Sequence, residues 1–339
     1  MLVSAIVVTL NARELLLECL SSIERALDRV NDETEIIVVD NGSTDGAPTA
    51  VRERFAQVRL LELGANRGFP AGVNEGMRIS TGQWLLLLNN DATIEPDAVS
   101  ELLEAAEGRS DVGSLAAQMR FVRDGAINSA GFGVDRLGVS YEHHVGEPPD
   151  SGGSAIHEVF GACAGAALMR RAMLAQIDGF DGSFFLYLED VDVAWRAQMC
   201  GWRCLYVPSA VVHHHHAASS VHRSALKHTH VGRNRVLLLA KNMPTGHLLR
   251  YAPAIIAREV AYVVFSCITD RTWAPLRGRW RGIRQWRTYR ARGRGRSHVM
   301  LATVEGPWRA LARRRAALLG TQPEGRSAAS ASAPTYGGR

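Results

Sequence analysis

The sequence predicts an α/β protein: a doubly wound, mostly parallel sheet followed by a basic, helical C-terminal extension. Three observations carry that reading. Short apolar runs alternate with helical-period stretches through about the first hundred residues, the pattern of successive strand–helix–strand units. Polar residues recur where those runs stop, at Thr9 and Asn11, at Asp40 and at Asn89-Asn90-Asp91, and in such sheets the carboxyl ends of the strands border the ligand crevice. Charge is also divided along the chain. From Arg271 onward there are sixteen Arg against two Glu, whereas residues 1–270 hold 23 Lys+Arg against 32 Asp+Glu. An acidic body and a basic extension need separate explanations.

Residues 2–9 read as a buried strand. Asn11 and Glu14 have capping-box spacing, and Leu16, Leu20, Ile23, Leu27 and Val30 follow at helical period, so a helix is expected over 12–29. Residues 35–39 form the next strand and stop at Asp40. Asn41-Gly42-Ser43-Thr44-Asp45-Gly46 is turn chemistry, with Asp45 placed to cap the helix that follows. A third strand spans 58–63, a helix 71–79 and a wholly apolar strand 84–88. Pro96 opens a further helix to about residue 107. From 111 to about 154 the pattern breaks into short Gly-rich runs, with a hairpin turn at Asp135-Arg136-Leu137-Gly138, and these read as insert strands beside the crevice. Residues 160–169 suit a strand or a close backbone contact under a ligand, 191–200 a helix, and 204–207 a strand leading to His213-His214-His215-His216.

The stretch with most chemical content is Glu189-Asp190-Val191-Asp192, behind the apolar run 184–188. A carboxylate held where extended chain turns into helix can take a proton from an attacking hydroxyl within hydrogen-bond reach. The competing reading is an ordinary helix start, where acidic groups cap N–H groups and complement the dipole. The histidine run invites a transition-metal site, but alternate residues of an extended segment face opposite ways, so all four cannot share one centre.

Thr9-Leu10-Asn11, Val38-Val39-Asp40-Asn41-Gly42-Ser43, Asn66-Arg67-Gly68-Phe69 with Asn74, Asn89-Asn90-Asp91 and Glu189-Asp190-Val191-Asp192 occur in the order seen in family 2 glycosyltransferases. The chain resembles the rhamnosyltransferase-like branch of that family over about residues 3–245. The resemblance implies a GT-A-type fold, a nucleotide-diphospho-sugar donor, a divalent metal (Mg2+ or Mn2+) and inversion at the anomeric carbon. It implies that Asp190 is the catalytic base. Asp91 would hold the metal with His214 or His213, Asp40 would meet the nucleobase, and Thr9 and Asn11 would flank base or ribose. Arg67 would face a phosphate, unless it is a surface arginine in a Gly-rich turn. Asn66, Gly68, Asn74, Asn89, Asn90, Glu189 and Arg196 complete the expected substrate-binding set, with Glu189 and Asp192 alternatively orienting the loop or pairing with Arg196. Asn89 stands where the family commonly has an acid, so one charged ligand fewer serves the metal. A hard cation bound through a carboxylate and phosphate oxygens would neutralise a departing diphosphate. The insert strands would lie on the acceptor side. A dTDP-rhamnose donor and a lipid-linked or polysaccharide acceptor are expected, with a UDP-sugar donor or an inactive sugar-nucleotide-binding scaffold as alternatives.

The five cysteines are odd in number and not paired as CxxC, which favours reduced thiols in a cytoplasmic setting, and Met1-Leu2-Val3-Ser4 lacks the basic start of a secretory signal. A catalytic unit is expected over 1–245, a basic helical extension over 246–320 and a disordered tail over 321–339. Leu249, Ala252, Ile256, Val260, Val263 and Cys267 recur at helical spacing, but Arg250, Arg258 and Glu259 interrupt them, so no membrane span is expected. Trp273, Leu276, Trp280 and Ile283 share one helical face, with Arg277, Arg281 and Arg284 mostly elsewhere, a pattern suited to the anionic inner face of the plasma membrane. Gly278 and Gly282 weaken that helix. Nucleic acid is not an expected partner, because the acidic body would oppose a polyanion.

Overall fold

The computed structural model describes residues 3–215, 224–293, 299 and 301. The expected tail over 321–339, most of the stretch beyond 293, and His216 lie outside the described residues. The first half alternates as expected: β1 (Val3–Thr9), α1 (Arg13–Leu27), β2 (Thr34–Asp40), α2 (Ala47–Arg54), β3 (Arg59–Glu62), α3 (Phe69–Ile79), β4 (Trp84–Leu88), β5 (Ala92–Ile94) and α4 (Ala98–Ala106). β1 lies between β2 and β4 and is parallel to both, and β2 is parallel to β3. All five residues of β4 are buried. Successive side chains leave opposite faces of a strand: Leu86 and Leu88 join Leu16, Leu20 and Leu102 on one side, while Leu85 and Leu87 meet Ile6, Ile37 and Val73 on the other. Burial on both faces is why the run is unbroken rather than alternating.

The insert region supplies β6 (Val112–Phe121), β7 (Ile127–Ser129), and the antiparallel pair β8 (Phe132–Val134) and β9 (Ser140–Glu142). The turn between that pair is the expected one: Gly138 N–H donates to Asp135 O over 2.7 Å, with Gly138 at φ 73°. Then come β10 (His157–Val159), β11 (Ala166–Arg170), α5 (Arg171–Gln176), α6 (Glu189–Met199) and β12 (Arg203–His214). The main sheet runs β10-β12-β6-β11-β4-β1-β2-β3. β12 is parallel to β6, but β11 is antiparallel to both β4 and β6. One reversed strand therefore joins two parallel blocks whose carboxyl ends face the same way.

The capping box does not form. Asn11, at φ 50°, accepts from Thr44 N–H (2.7 Å), and the first N–H of α1, on Arg13, is taken by Asp45 (2.8 Å). Asp45 also accepts from Ala47 N–H (3.1 Å), so it serves the starts of both α1 and α2. A tertiary partner displaces the local one. Pro96 likewise lies just outside α4, which begins at Ala98 behind Asp97.

Three helices follow: α7 (Ala225–Asn242), α8 (Thr245–Thr269) and α9 (Ala274–Arg292). Phe132, Phe160, Phe184, Trp195, Leu238, Ile255 and Tyr289 form a third core that ties them to α6 and the insert strands. The glycines that weaken α9 in isolation are what its packing requires. A Cβ on Gly278 would fall 2.2 Å from Thr229 O, and one on Gly282 would fall 2.7 Å from Val236 Cβ. The backbones of α7 and α9 thus approach where only hydrogen fits.

α8 corrects an expectation: it is long and apolar enough to cross a membrane by length and composition. Of the charges that interrupt it in sequence, Arg250 is exposed, but Arg258 and Glu259 are half-buried. Glu259 pairs with Arg235 of α7 (3.1 Å) and Arg279 of α9 (2.7 Å), leaving Leu249, Ile256, Val260, Val264 and Ile268 exposed.

Candidate active site

A cleft of about 640 Å³ opens at the carboxyl ends of β1, β4 and β12 and at the start of α6. One wall holds Thr9, Asn41, Asn66 and Gly68, the floor Asn89, Asn90, Asp91 and Gly165, and the far wall Glu142, Glu189 and Asp190, with His214 and Lys227 at the sides. Of the strand-end polar groups, Thr9 and Asn89-Asn90-Asp91 thus converge there. Asp91 and Asp190, ninety-nine positions apart in the sequence, line the same space.

Asp91 is buried at the end of β4 and stands 3.1 Å from Nε2 of His214 through its Oδ1. The opposite ring nitrogen of His214 lies 2.8 Å from Asn128 Oδ1. When Nδ1–H donates to that oxygen, Nε2 presents a lone pair to the carboxylate. Two lone pairs that close are stable only around a shared proton or a cation. A carboxylate oxygen and a neutral imidazole nitrogen are a fitting donor set for a small divalent ion that draws its other ligands from water and phosphate. The described residues contain no group of three or more acids, histidines or cysteines able to hold a metal alone, so substrate oxygens would have to complete the shell. Asn89 points its amide at the same imidazole nitrogen (3.4 Å), and Asn90 donates to Thr9 Oγ1 (2.9 Å).

The acidic wall is built differently. Glu189 opens α6 and is buried, and its Oε2 has no hydrogen-bond partner. Burial, reinforced by the charge of Asp190, pushes the Glu189 carboxyl up to about 8. Asp190 is half-buried and is also raised, chiefly by burial, with the N–H groups of Val191 and Ala164 pulling back. Near neutrality Glu189 therefore keeps its proton. Glu142, from β9, accepts from the Ser129 hydroxyl and is pushed by burial to about 8, with Asp190 adding to the rise. Cys163, between these acids, is held well above the usual thiol range by burial. Five free cysteines are consistent with the expected reduced thiols.

Several expected residues do other work. Asp40 is buried, and its carboxylate accepts from the N–H groups of Gly42 (3.0 Å) and Ser43 (3.0 Å), holding the turn after β2 rather than lining the cleft. Asn11 braces that turn from β1. Arg67 is exposed, and it is its backbone N–H that donates to Asn41 Oδ1 (3.2 Å). Asn74 clamps the chain at Phe180 with both ends of its amide (2.7 and 3.0 Å). Arg196 binds Asp192 (2.7 Å) and Ile177 O, away from the cleft. His213 faces the other side of β12 and meets Glu95 (2.8 Å), so the strand's alternation selects His214. Asn41, Asn128, Glu142, Cys163 and Lys227 were not foreseen. Asn41 alone carried a sequence signal, in the turn motif after β2.

A family model described as Glycosyl transferase family 2 matches residues 4–177. The chain is 30% identical over 230 residues to N-acetylglucosaminyl-diphospho-decaprenol L-rhamnosyltransferase of Mycobacterium tuberculosis, covering 58% of this chain and 73% of that protein. Among solved structures, a mannosyltransferase from Pyrobaculum calidifontis in complex with GDP-Man and Mn2+ superposes with a TM-score of 0.53 at 19% identity, covering 86% of this chain and 83% of that one. GalNAc-T7 with UDP, GalNAc and Mn2+ gives a TM-score of 0.57 at 13% identity over 72% of this chain, which spans about half (48%) of that structure.

Proposed function

The chain belongs to glycosyl transferase family 2, with a GT-A-type fold and glycosyltransferase activity, and from that premise we propose that it moves rhamnose from dTDP-rhamnose to a lipid-linked or polysaccharide acceptor, with inversion. The observation that carries the reading is the shared cleft, in which the Asp190 carboxyl faces the same space as Asp91 and His214. Asp190 accepts the proton of the acceptor hydroxyl, whose oxygen attacks the anomeric carbon as the diphosphate leaves. Asp91 and His214 would hold a divalent cation, Mg2+ or Mn2+, which would supply charge neutralisation for the leaving diphosphate. Thr9, Asn66, Gly68 and Asn90 form the nucleotide wall, and Glu189, protonated, offers a donor hydrogen to a sugar hydroxyl. The rhamnose choice rests on the likeness to the mycobacterial rhamnosyltransferase. A UDP-sugar donor is the second reading within the same fold.

The test is a thermal-shift panel of UDP, dTDP and GDP, each with and without Mn2+. A ligand present at about 100 times its Kd adds roughly 2.7 kcal/mol to the folded state. We expect a shift of several degrees with dTDP plus Mn2+ and little with dTDP alone. A larger response to UDP reassigns the base, and an equal response without metal removes the cation role of Asp91 and His214.

The proposed division is a catalytic unit over 1–245 and a basic extension over 246–320, which rests on the inner face of the plasma membrane in the cytoplasm. Trp273, just before α9, and Leu276, Trp280 and Ile283 within it are 48–63% exposed, beside Arg277, Arg281 and Arg284. Each cation near an anionic surface adds about 1 kcal/mol. The full chain is expected to pellet with vesicles containing phosphatidylglycerol but not with neutral ones, less so at high salt, and the Trp273→Ala/Trp280→Ala variant should lose most of this binding. Pelleting that ignores lipid charge would remove the anionic contact.

A further inference from the structure

The segment that delivers Asp190 is strained. Phe185 has φ 63° and ψ −53°, with Leu186 N–H donating to Phe184 O over 2.7 Å, a γ-turn of the rarer, strained hand. Tyr187 (φ 70°) and Leu188 (φ 66°) follow in the left-handed region. Three of the four residues before Glu189 thus adopt backbone angles that L-residues with side chains avoid, and none is glycine. Such geometry persists only where the surroundings over-determine it.

What holds it comes largely from α7. Asn234 is fully buried, and its amide nitrogen lies 2.8 Å from Phe184 O, 2.9 Å from Leu186 O and 2.8 Å from Tyr187 O. Two N–H groups are thus shared among three carbonyls of one short loop. Arg233 beside it donates to Ser183 O (2.7 Å) and to Asn234 Oδ1 (2.8 Å), which fixes the amide's orientation. The remaining carbonyl, Phe185 O, accepts from Phe69 N–H (2.8 Å), and a Cβ on Gly68 would fall 2.4 Å from it. The loop is therefore wedged between the nucleotide wall and α7.

We infer that Asn234 is a positioning residue for the reaction: its amide gathers the carbonyls of residues 184–187 so that the strained turn is held and the Asp190 carboxylate aims into the cleft. This rests on Asp190 acting as the base. It assigns to α7, a helix beyond the stretch matched by the family model, a direct part in transfer.

The experiment uses the full chain with Asn234→Ala and Asn234→Asp, the second keeping side-chain volume and the Arg233 contact while removing the donors. A carboxylate displaced by about an ångström costs roughly a hundredfold in rate, so kcat should fall by about that factor in both variants, with the Kd for the nucleoside diphosphate nearly unchanged. Leu188→Gly placed on Asn234→Ala should restore about tenfold of the loss, because glycine adopts the left-handed angles freely. A residue that only contributes stability would lower Tm without moving kcat, and no glycine would rescue it. Hydrogen exchange supplies a readout independent of activity: amides of 184–190 should exchange faster in either variant while β1, β2 and β4 keep wild-type protection. Wild-type kcat or unchanged exchange at 184–190 overturns the inference. If the wild-type chain transfers no sugar, the functional reading fails, and the exchange data still decide whether Asn234 holds the loop.

Discussion

Asp190→Asn is expected to abolish transfer while leaving nucleotide binding close to wild type. The amide keeps the shape of the carboxylate and can still accept from Val191 N–H, a bond of 2.8 Å in the native protein, so the start of α6 should be undisturbed. What disappears is the ability to take a proton. General-base assistance is worth about a hundred- to ten-thousandfold, or roughly 3–5 kcal/mol of barrier, and retention of more than about a few per cent of the rate would sink the assignment. The pH profile gives a second check. A base works deprotonated, and burial raises the Asp190 carboxyl, so activity should be lost on acidification at a higher pH than an ordinary carboxylate would give. Glu189→Gln removes the neighbouring charge that forms on the alkaline side, where Glu189 ionises at about 8, and should leave the acid limb standing.

Lys241→Met should produce the largest loss of stability. The ammonium lies 2.9 Å from Asp181 and 2.9 Å from Asp192, and Asp192 is fully buried. Arg196 (2.7 Å) and Asn242 (2.8 Å) complete the shell of Asp192. Removing one partner of a buried charge cluster costs about 3–5 kcal/mol, which for a chain of this size lowers Tm on the order of 10 °C. The pH dependence has a definite sign. Burial alone would raise both acids, but Lys241 outweighs it at Asp181, which falls to about 2, and Arg196 with Lys241 outweighs it at Asp192, which is also lowered. Acids with depressed folded values stabilise the protein above their unfolded value of about 3.9 and lose that contribution as pH falls through the folded value. Wild type should therefore hold its Tm better than Lys241→Met near neutrality, and the gap should close as the pH drops from about 4 toward 2. A gap that stays constant down to pH 2 would assign the loss to packing instead.

The sheet was legible because burial on two faces leaves a mark that needs no partner to be read, as in the five leucine-rich positions of β4. The crevice followed from topology alone. Side-chain partners were harder. Asp40 sits where the motif puts it, yet its oxygens are taken by N–H groups two and three residues on, and nothing in the run of residues distinguishes a turn-holding carboxylate from one facing a base. Arg196 and Asn74 were visible as motif residues but serve the protein's interior. Glu142, Asn128 and Asn234 reach the site through β7, β9 and α7, elements whose placement depends on pairings and packing far along the chain. The direction of β11 was equally hidden, since a short apolar run reads the same whichever way it points.

That reversed strand has a consequence for how such a molecule can change. β3, β2, β1 and β4 form one block, and β6 and β12 another, with β11 as the seam between them. Asp91 follows β4 of the first block but is held to β12 of the second by β5 and by the His215 N–H, His214 lies on β12 itself, and Glu142, on the separate β8–β9 pair, is tied to β7 through Ser129. Because β5 pairs with β12 across that seam, a chimera spliced there would have to exchange the β5 segment, with Asp91 at its start, together with β12 and His214, so that the two residues pass to the new molecule as one piece.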